Sequence, residues 1–167
     1  KLEGKFIQTI QTYDEEIRGM GLSPATRVLS FATQEASADV RRALELEAGE
    51  RVVCLERLRY AQSQPIVHVT TYLPESLCGG ILNEDMEHHS LYRLLEERYG
   101  VALFRLTRRV QAAPPNAQLA KLLELPKNSA ILYVSTVAYM QNGVPFEYSL
   151  ASYRGDRYQM NVDLQKN

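Results

Sequence analysis

The sequence predicts an α+β fold built on one largely antiparallel sheet. Three features carry that expectation. Strands and helices follow one another without the strict strand-helix-strand alternation that a parallel sheet demands, two connections between extended runs are tight, and one helix-and-hairpin pattern occurs twice. At 167 residues the chain is expected to form a single domain, 1–167, large enough to bury a core without a disulfide or metal staple.

Taken in order, Tyr13 to Arg18 reads as a short polar helix, ended by Gly19-Met20-Gly21 and by Pro24, which cannot continue it. Arg27 to Thr33 is an expected strand. Ser37 is placed to cap a helix with Val40, Ala43 and Leu44 on one face, and Gly49 to stop it. Arg51 to Tyr60, a turn at Ala61 to Gln64, and Pro65 to Leu73 form a hairpin. After Gly79-Gly80, Ser90 is placed to cap an amphipathic helix with Leu91, Leu94 and Leu95 inward and Gly100 at its end. A strand is expected over Ala102 to Gln111. Pro114-Pro115 breaks the chain, and a helix marked by Ala117, Leu119, Ala120, Leu122 and Leu123 stops at Leu125-Pro126. The last clear unit is a hairpin, Ala130 to Met140 and Pro145 to Tyr153, around Asn142-Gly143, a turn signal whose two central residues take positive φ.

The repeat aligns Ala38 to Leu46 with Ala117 to Leu125, 79 positions further on. Val52 then falls on Ile131, Leu55 on Val134, Leu58 on Val137 and Tyr60 on Tyr139. After one extra residue in the second turn, Pro65 falls on Pro145 and Ile66 on Phe146. A duplicated helix-hairpin unit predicts pseudo-twofold symmetry, with the cleft between the two copies as a natural ligand site.

Composition excludes several function classes. Nineteen Lys and Arg against twenty Asp and Glu give a net charge of −1, without a basic run, so this segment is not expected to grip a phosphate backbone by itself. Cys54 and Cys78 are two lone cysteines, expected to be packed thiols in a reducing cytoplasm. No apolar stretch is long enough to span a bilayer. The chain opens at Lys1 on a charged segment with no hydrophobic leader, which suggests a domain cut from a longer polypeptide. His68, His88 and His89 lack the spacing of a metal site, and no phosphate loop, dinucleotide fingerprint or nucleophile motif is present, so neither metal nor cofactor is expected.

The residues that carry chemistry lie on the hairpins. Val53, Leu55, Arg57 and Arg59 alternate onto one strand face, so two arginines continue an apolar stripe. Val67 is expected near Arg59 and Val69 near Arg57. Desolvating a guanidinium without a partner costs several kcal/mol, so the pair should meet carboxylates, an anion or trapped water; the alternative is a solvated edge with both arginines turned outward. The repeat places Glu147 and Ser149 where the first hairpin has Val67 and Val69. Glu147, Ser149 and Tyr153, with Ala151, are therefore expected to look into the same cleft, although a slip of one residue would turn them outward. Ser90 and Tyr92 open a helix whose N-terminus can receive an anion.

The segments Leu55-Glu56-Arg57-Leu58-Arg59-Tyr60-Ala61, Thr70-Thr71-Tyr72-Leu73-Pro74, Ser90-Leu91-Tyr92-Arg93-Leu94-Leu95-Glu96 and Val144-Pro145-Phe146-Glu147-Tyr148-Ser149, in this order, resemble the UTRA domain. That domain is the effector-sensing half of GntR-type bacterial repressors of the HutC branch, and the resemblance runs from about Tyr13 to Tyr158. It implies a chorismate-lyase-like fold, usually dimeric, in the cytoplasm, preceded by a winged helix-turn-helix segment that alone touches DNA. It implies an effector that is a sugar phosphate, sugar acid or other small polar metabolite, held at Arg57, Arg59, Ser90, Tyr92, Glu147 and Tyr153, the residues that line the pocket in members answering to phosphorylated amino sugars. Two positions depart from the family: Val69, where a glutamate is common, and Asp14, beside Tyr13, where a small residue is usual. Loss of the acid weakens the case for an amino-sugar ring, and Asp14 facing the pocket would disfavour a phosphate dianion. Two other readings stand beside the sensor: a lyase in which Arg57 and Arg59 hold a carboxylate and Glu147 is the general acid, and a dimerisation module with an empty cleft.

Overall fold

The computed structural model describes residues 2–6, 11–162 and 164. Its elements, in order, are β1 (Leu2–Phe6), α1 (Tyr13–Gly19), β2 (Pro24–Glu35), α2 (Ala38–Leu44), β3 (Arg51–Ala61), β4 (Gln64–Pro74), α3 (Glu75–Cys78), a 3-10 turn (Gly79–Asn83), α4 (Leu91–Tyr99), β5 (Arg105–Ala113), α5 (Ala117–Leu122), β6 (Ile131–Tyr139), β7 (Pro145–Arg154) and β8 (Tyr158–Val162). Six strands form one sheet in the order β2-β3-β4-β7-β6-β5, with every neighbouring pair antiparallel, as the hairpin signals imply.

Strand order is symmetric about the β4-β7 pair. Each half reads strand, helix, hairpin: β2-α2-β3-β4 and β5-α5-β6-β7. Thr70 and Leu150, equivalent positions of the repeat, are paired with each other, so the pseudo-twofold axis passes between them. The duplicated unit is one strand longer than its sequence pattern shows, because β2 and β5 share no residue-level likeness. Helix α2 packs on β7 and α5 on β4, so each helix lies across the other half.

Local chemistry explains the boundaries. A capping box closes the start of α1, with the Thr12 hydroxyl accepting from the Glu15 N–H and the Glu15 carboxylate accepting from the Thr12 N–H. Ser37 caps α2 as expected, and Asn116 caps α5. The first hairpin is tighter than the sequence implies: Ala61 pairs with Gln64, leaving Gln62 and Ser63 as a two-residue turn with both φ positive. A bulge at Arg59/Tyr60 absorbs the difference, so Arg59 still faces Val67 and Arg57 still faces Val69. The second hairpin departs from the two-residue turn expected of Asn142-Gly143. Gly143 N–H donates to Met140 O at 2.9 Å and Met140 N–H to Val144 O at 3.0 Å, and of the turn residues only Gly143 takes positive φ, a longer loop closed by a glycine bulge. β5 begins at Arg105 rather than Ala102. The parallel pair β1-β8, from Leu2↔Tyr158 to Phe6↔Val162, has no counterpart in the sequence reading.

One face of the sheet carries the main core: Val53, Leu55, Leu73, Cys78, Ile81, Leu91, Leu94, Leu95 and Phe146 meet beneath α3 and α4. A second cluster, Tyr13, Ile17, Ile66, Val67, Ala151 and Tyr158, seats α1 and β8 on the other end of that face. Burial pushes the Cys78 thiol up to about 12, so it is a packed, protonated group. On the opposite face α2 and α5 cover smaller clusters. The half-buried Cys54 and Tyr72, and the His68 to Glu56 pair at 2.7 Å, lie on β3 and β4.

The chain is also pinned where β7 turns toward β8. Arg154 is buried, forks onto Asp156 at 2.7 and 3.0 Å, and donates to Leu123 O at 3.1 Å. Its neighbour Gly155 lies against the Ala130 carbonyl, where a Cβ would fall 2.6 Å from the oxygen. Gly155→Ala is expected to lower stability by about 1–3 kcal/mol, read from the urea midpoint with the slope unchanged.

Candidate functional site

Between the two clusters the sheet face is left uncovered, and a cavity of about 200 Å³ opens there. Its floor comes from both halves of the repeat: Arg57 and Arg59 of β3, Val67, Val69 and Thr71 of β4, Glu147 and Tyr153 of β7, and Leu106 and Arg108 of β5. One wall is α1 with the residues before it, contributing Gln11, Thr12, Tyr13, Asp14 and Glu16, closed by Tyr158 of β8. The other wall is the approach to α4: Met86, Glu87, His89, Ser90, Leu91 and Tyr92.

Strand alternation explains the floor. Arg57, Val69 and Ala151 stand in one cross-sheet row, and Arg59, Val67 and Tyr153 in the next. Arg57 is only 5% exposed and Glu147 4%. Burial, and then the like charge of Arg59, lower the Arg57 guanidinium to about 9, against the attraction of Glu147. Burial lowers Arg59 too, opposed first by Asp14. The Tyr13 ring lies under the Arg59 guanidinium at 4.9 Å, and its hydroxyl donates to Tyr60 O at 3.0 Å, which fixes α1 over the cavity. Tyr158 donates to the Glu16 carboxylate at 2.9 Å while its ring stacks on Tyr153 at 4.3 Å.

Five buried side-chain atoms have no hydrogen-bond partner among the described residues: Arg57 Nε and Nη1, Arg59 Nε, Thr71 Oγ1 and Glu147 Oε2. All belong to residues lining this one cavity. Leaving such groups unpaired costs about 1–3 kcal/mol each, more for charged ones, and ordinary folding does not retain several together. The donors gather at the arginine end and an acceptor stands at the Glu147 end.

Burial raises the Glu147 carboxyl above its ordinary value, opposed by a hydrogen bond from Tyr92 and by the charges of Arg57, Arg108 and Arg59. Burial raises Glu16 as well, against its bond from Tyr158. A raised carboxyl contributes stability that is complete below its unfolded-state value and is lost as pH rises through the folded-state value. Glu147→Gln, which keeps an acceptor for Tyr92 and cannot ionise, is therefore expected to melt higher than the parent at pH 7–8, with the gap closing toward pH 4. Thermal melts across that range check it; a constant gap would count against the buried carboxylate as its cause.

Of the ten residues singled out from sequence, Arg57, Arg59, Ser90, Tyr92, Glu147, Tyr153, Tyr13, Asp14 and Val69 line the cavity. Ser149 does not. It is buried and shares the face, in register with Thr71 and Thr136, but it is not among the residues that line the cavity. Ser90 also departs from expectation: it holds the N-cap position of α4, yet its hydroxyl makes no capping bond and stands on the cavity wall instead. Asp14 reaches the cavity and also meets Arg18 at 3.8 Å. Sequence reading missed Arg108, Glu16, Thr71 and Tyr158. For Arg108 a signal was present: Leu106, Arg108 and Val110 alternate along their strand as Val53, Leu55 and Arg57 do along theirs.

The comparisons with known proteins agree with this architecture. The UTRA domain family model matches residues 19–159. The repressor NagR of Bacillus subtilis, named as a helix-turn-helix transcriptional repressor, is 24% identical over 152 residues, covering 91% of this chain and 62% of that protein. The helix-turn-helix transcriptional regulator Rv0792c of Mycobacterium tuberculosis is 29% identical over 160 residues, covering 94% and 58%. The chain thus spans about three fifths of the length of these relatives. Among solved structures, the effector domain of PhnF from Mycobacterium smegmatis superposes with a TM-score of 0.89 at 24% identity, covering 98% of this chain and 99% of that one, a likeness of fold. The ligand-binding domain of a GntR-family transcriptional regulator from Bordetella bronchiseptica gives 0.78 at 28% identity, covering 85% and 89%. A duplicated antiparallel sheet with a polar cavity on one face, matched by the family model over nearly all of its length, makes this chain a member of the UTRA domain family.

Proposed function

We propose that this chain is the effector-sensing part of a bacterial transcriptional regulator, and that a small anionic, hydroxylated metabolite bound in the cavity changes the DNA affinity of a winged helix-turn-helix segment elsewhere on the polypeptide. The observation that carries this reading is the set of five unpartnered buried polar atoms converging on one cavity. A guest with an anionic group at Arg57 and Arg59 and a donor at Glu147 supplies what those atoms lack. The names of the relatives support the regulatory role, and the reading includes a homodimer working in the cytoplasm, with 1–167 as its single sensing domain. No helix among the described residues is long and apolar enough to cross a membrane. The lyase reading of Arg57, Arg59 and Glu147 is not favoured, since the matched relatives are named as regulators.

A sensor must bind its effector with different affinity in its two states, and coupling to DNA is reciprocal. The test is a thermal melt against sugar phosphates, sugar acids and amino acids. A guest at a hundred times its dissociation constant stabilises by about 2.7 kcal/mol, or roughly 5–10 °C for a chain of this size. If the whole panel is silent, the reading fails.

A further inference from the structure

The cavity floor contains a third arginine, contributed by the edge strand β5. Arg108 pairs in register with Thr136, and its Nε donates to the Thr136 hydroxyl at 3.3 Å. That row continues across the sheet through Ser149 and Thr71 to Leu55, which brings the guanidinium onto the cavity side. From there its charge acts on groups along the α1 and β7 sides of the cavity. It attracts the carboxylate of Glu16 on α1 and, after Arg57, that of Glu147 on β7, and its charge is also felt at the hydroxyls of Tyr92, Tyr153 and Tyr158. The remaining cavity carboxylates are engaged elsewhere: Asp14 acts on Arg59 and Arg18, and Glu87 accepts from the Val28 N–H at 2.9 Å.

The cavity therefore has two ends of different character. At one end Arg57 and Arg59 present three unpartnered donor nitrogens. At the other, Glu147 presents an unpartnered acceptor oxygen, and Glu16 and Arg108 line the same cavity with it. Two carboxylates alone would draw a cationic group. With the charge of Arg108 acting on both, an incoming ammonium meets like charge, whereas a neutral hydroxyl donates to Glu147 without that penalty.

We propose that Arg108 is a specificity-determining residue of this cavity: it offsets the acidic end formed by Glu16 and Glu147, so that the guest presents hydroxyl groups there rather than an ammonium group while its anionic group faces Arg57 and Arg59. This inference rests on the cavity being the effector site and adds which chemical class of anion it selects. It also assigns the selection to a side chain on the edge of the sheet, outside the β3-β4 hairpin.

The test uses pairs of probes that differ only by hydroxyl against ammonium: 3-phosphoglycerate with phosphoserine, and glucose 6-phosphate with glucosamine 6-phosphate, with inorganic phosphate reporting the arginine end alone. Affinities are measured by titration calorimetry for the wild-type chain and for Arg108→Gln, Arg108→Lys and Arg109→Gln. Arg109, the next residue on β5, alternates to the other face, where its charge acts on Tyr148, and serves as a control for loss of a nearby charge. The expected result is a hydroxyl-to-ammonium preference that falls by about tenfold in Arg108→Gln, is retained in Arg108→Lys and does not move in Arg109→Gln. A ratio unchanged in Arg108→Gln, with the probes still bound, overturns the role of Arg108 and leaves the cavity reading standing. Binding of phosphate with every paired probe silent overturns the two-ended guest. Silence of all probes, phosphate included, removes the cavity reading and this inference with it.

Discussion

Arg57→Met is expected to abolish the thermal shift produced by any anionic guest, while the guest-free domain melts at or above the wild-type temperature. The two halves of this expectation have one cause. Two nitrogens of the Arg57 guanidinium are buried without partners, and burial together with Arg59 opposes its charge. Replacing poorly satisfied buried charge with an apolar chain of similar volume is often neutral or stabilising by about 1–4 kcal/mol. Met also relieves Arg59 of a like charge, although it takes an attractive neighbour from Glu147. The sign with pH follows. A depressed guanidinium contributes stability that is lost as pH falls through about 9, so the advantage of Arg57→Met is full at neutral pH and shrinks above that value. Differential scanning calorimetry at pH 7 and pH 10, with and without guest, reads both halves. A variant that unfolds early in the absence of guest would show that Arg57 is held for the fold.

The other large effect is structural. Phe146→Ala is expected to cost about 3–5 kcal/mol and to lower the melting temperature by roughly 6–20 °C. Phe146 is among the largest fully buried side chains and joins β7 to the cluster beneath α4. Its ring meets Tyr92 edge-on at 6.4 Å, and Tyr92 in turn bonds Glu147. The same substitution should therefore weaken guest binding without touching the guest. Phe146→Leu, which keeps most of the volume, separates the two: it should recover most of the stability, and a binding defect that persists assigns the ring contact to positioning Tyr92.

Much of this architecture was legible because a strand's period is fixed at two. Once Arg57 and Arg59 fell on the stripe of Val53 and Leu55, the hairpin brought Val69 and Val67 opposite them, and the repeat carried the same face to Glu147 and Tyr153. What escaped has physical reasons. Tyr158 reaches the cavity on a strand paired in parallel with residues near the other end of the chain, a contact no local pattern encodes. Glu16 sits on a helix that reads as polar and solvated, and only burial beside Tyr158 marks it. Arg108 lies on an edge strand whose side chains are mostly exposed, where an alternating arginine looks like ordinary surface. Ser90 was placed in the pocket by the resemblance; what escaped is that its hydroxyl makes no capping bond, although capping is the default use of a serine at a helix start. Ser149 had the right face but is not among the residues that line the cavity.

The pseudo-twofold axis between Thr70 and Leu150 has a further consequence. Register makes Arg57 the counterpart of Thr136, Arg59 of Ala138, Glu147 of Val67, and Arg108 of Val28. At each of these places one copy is charged and its twin is neutral. Had the twins kept identical side chains, the hollow would offer the same grip in both directions, and a visitor could lodge either way round. Because the copies have diverged at those positions, a molecule with distinct head and tail has one orientation that suits both. The mirrored frame supplies rigidity, and the mismatch between its halves supplies direction.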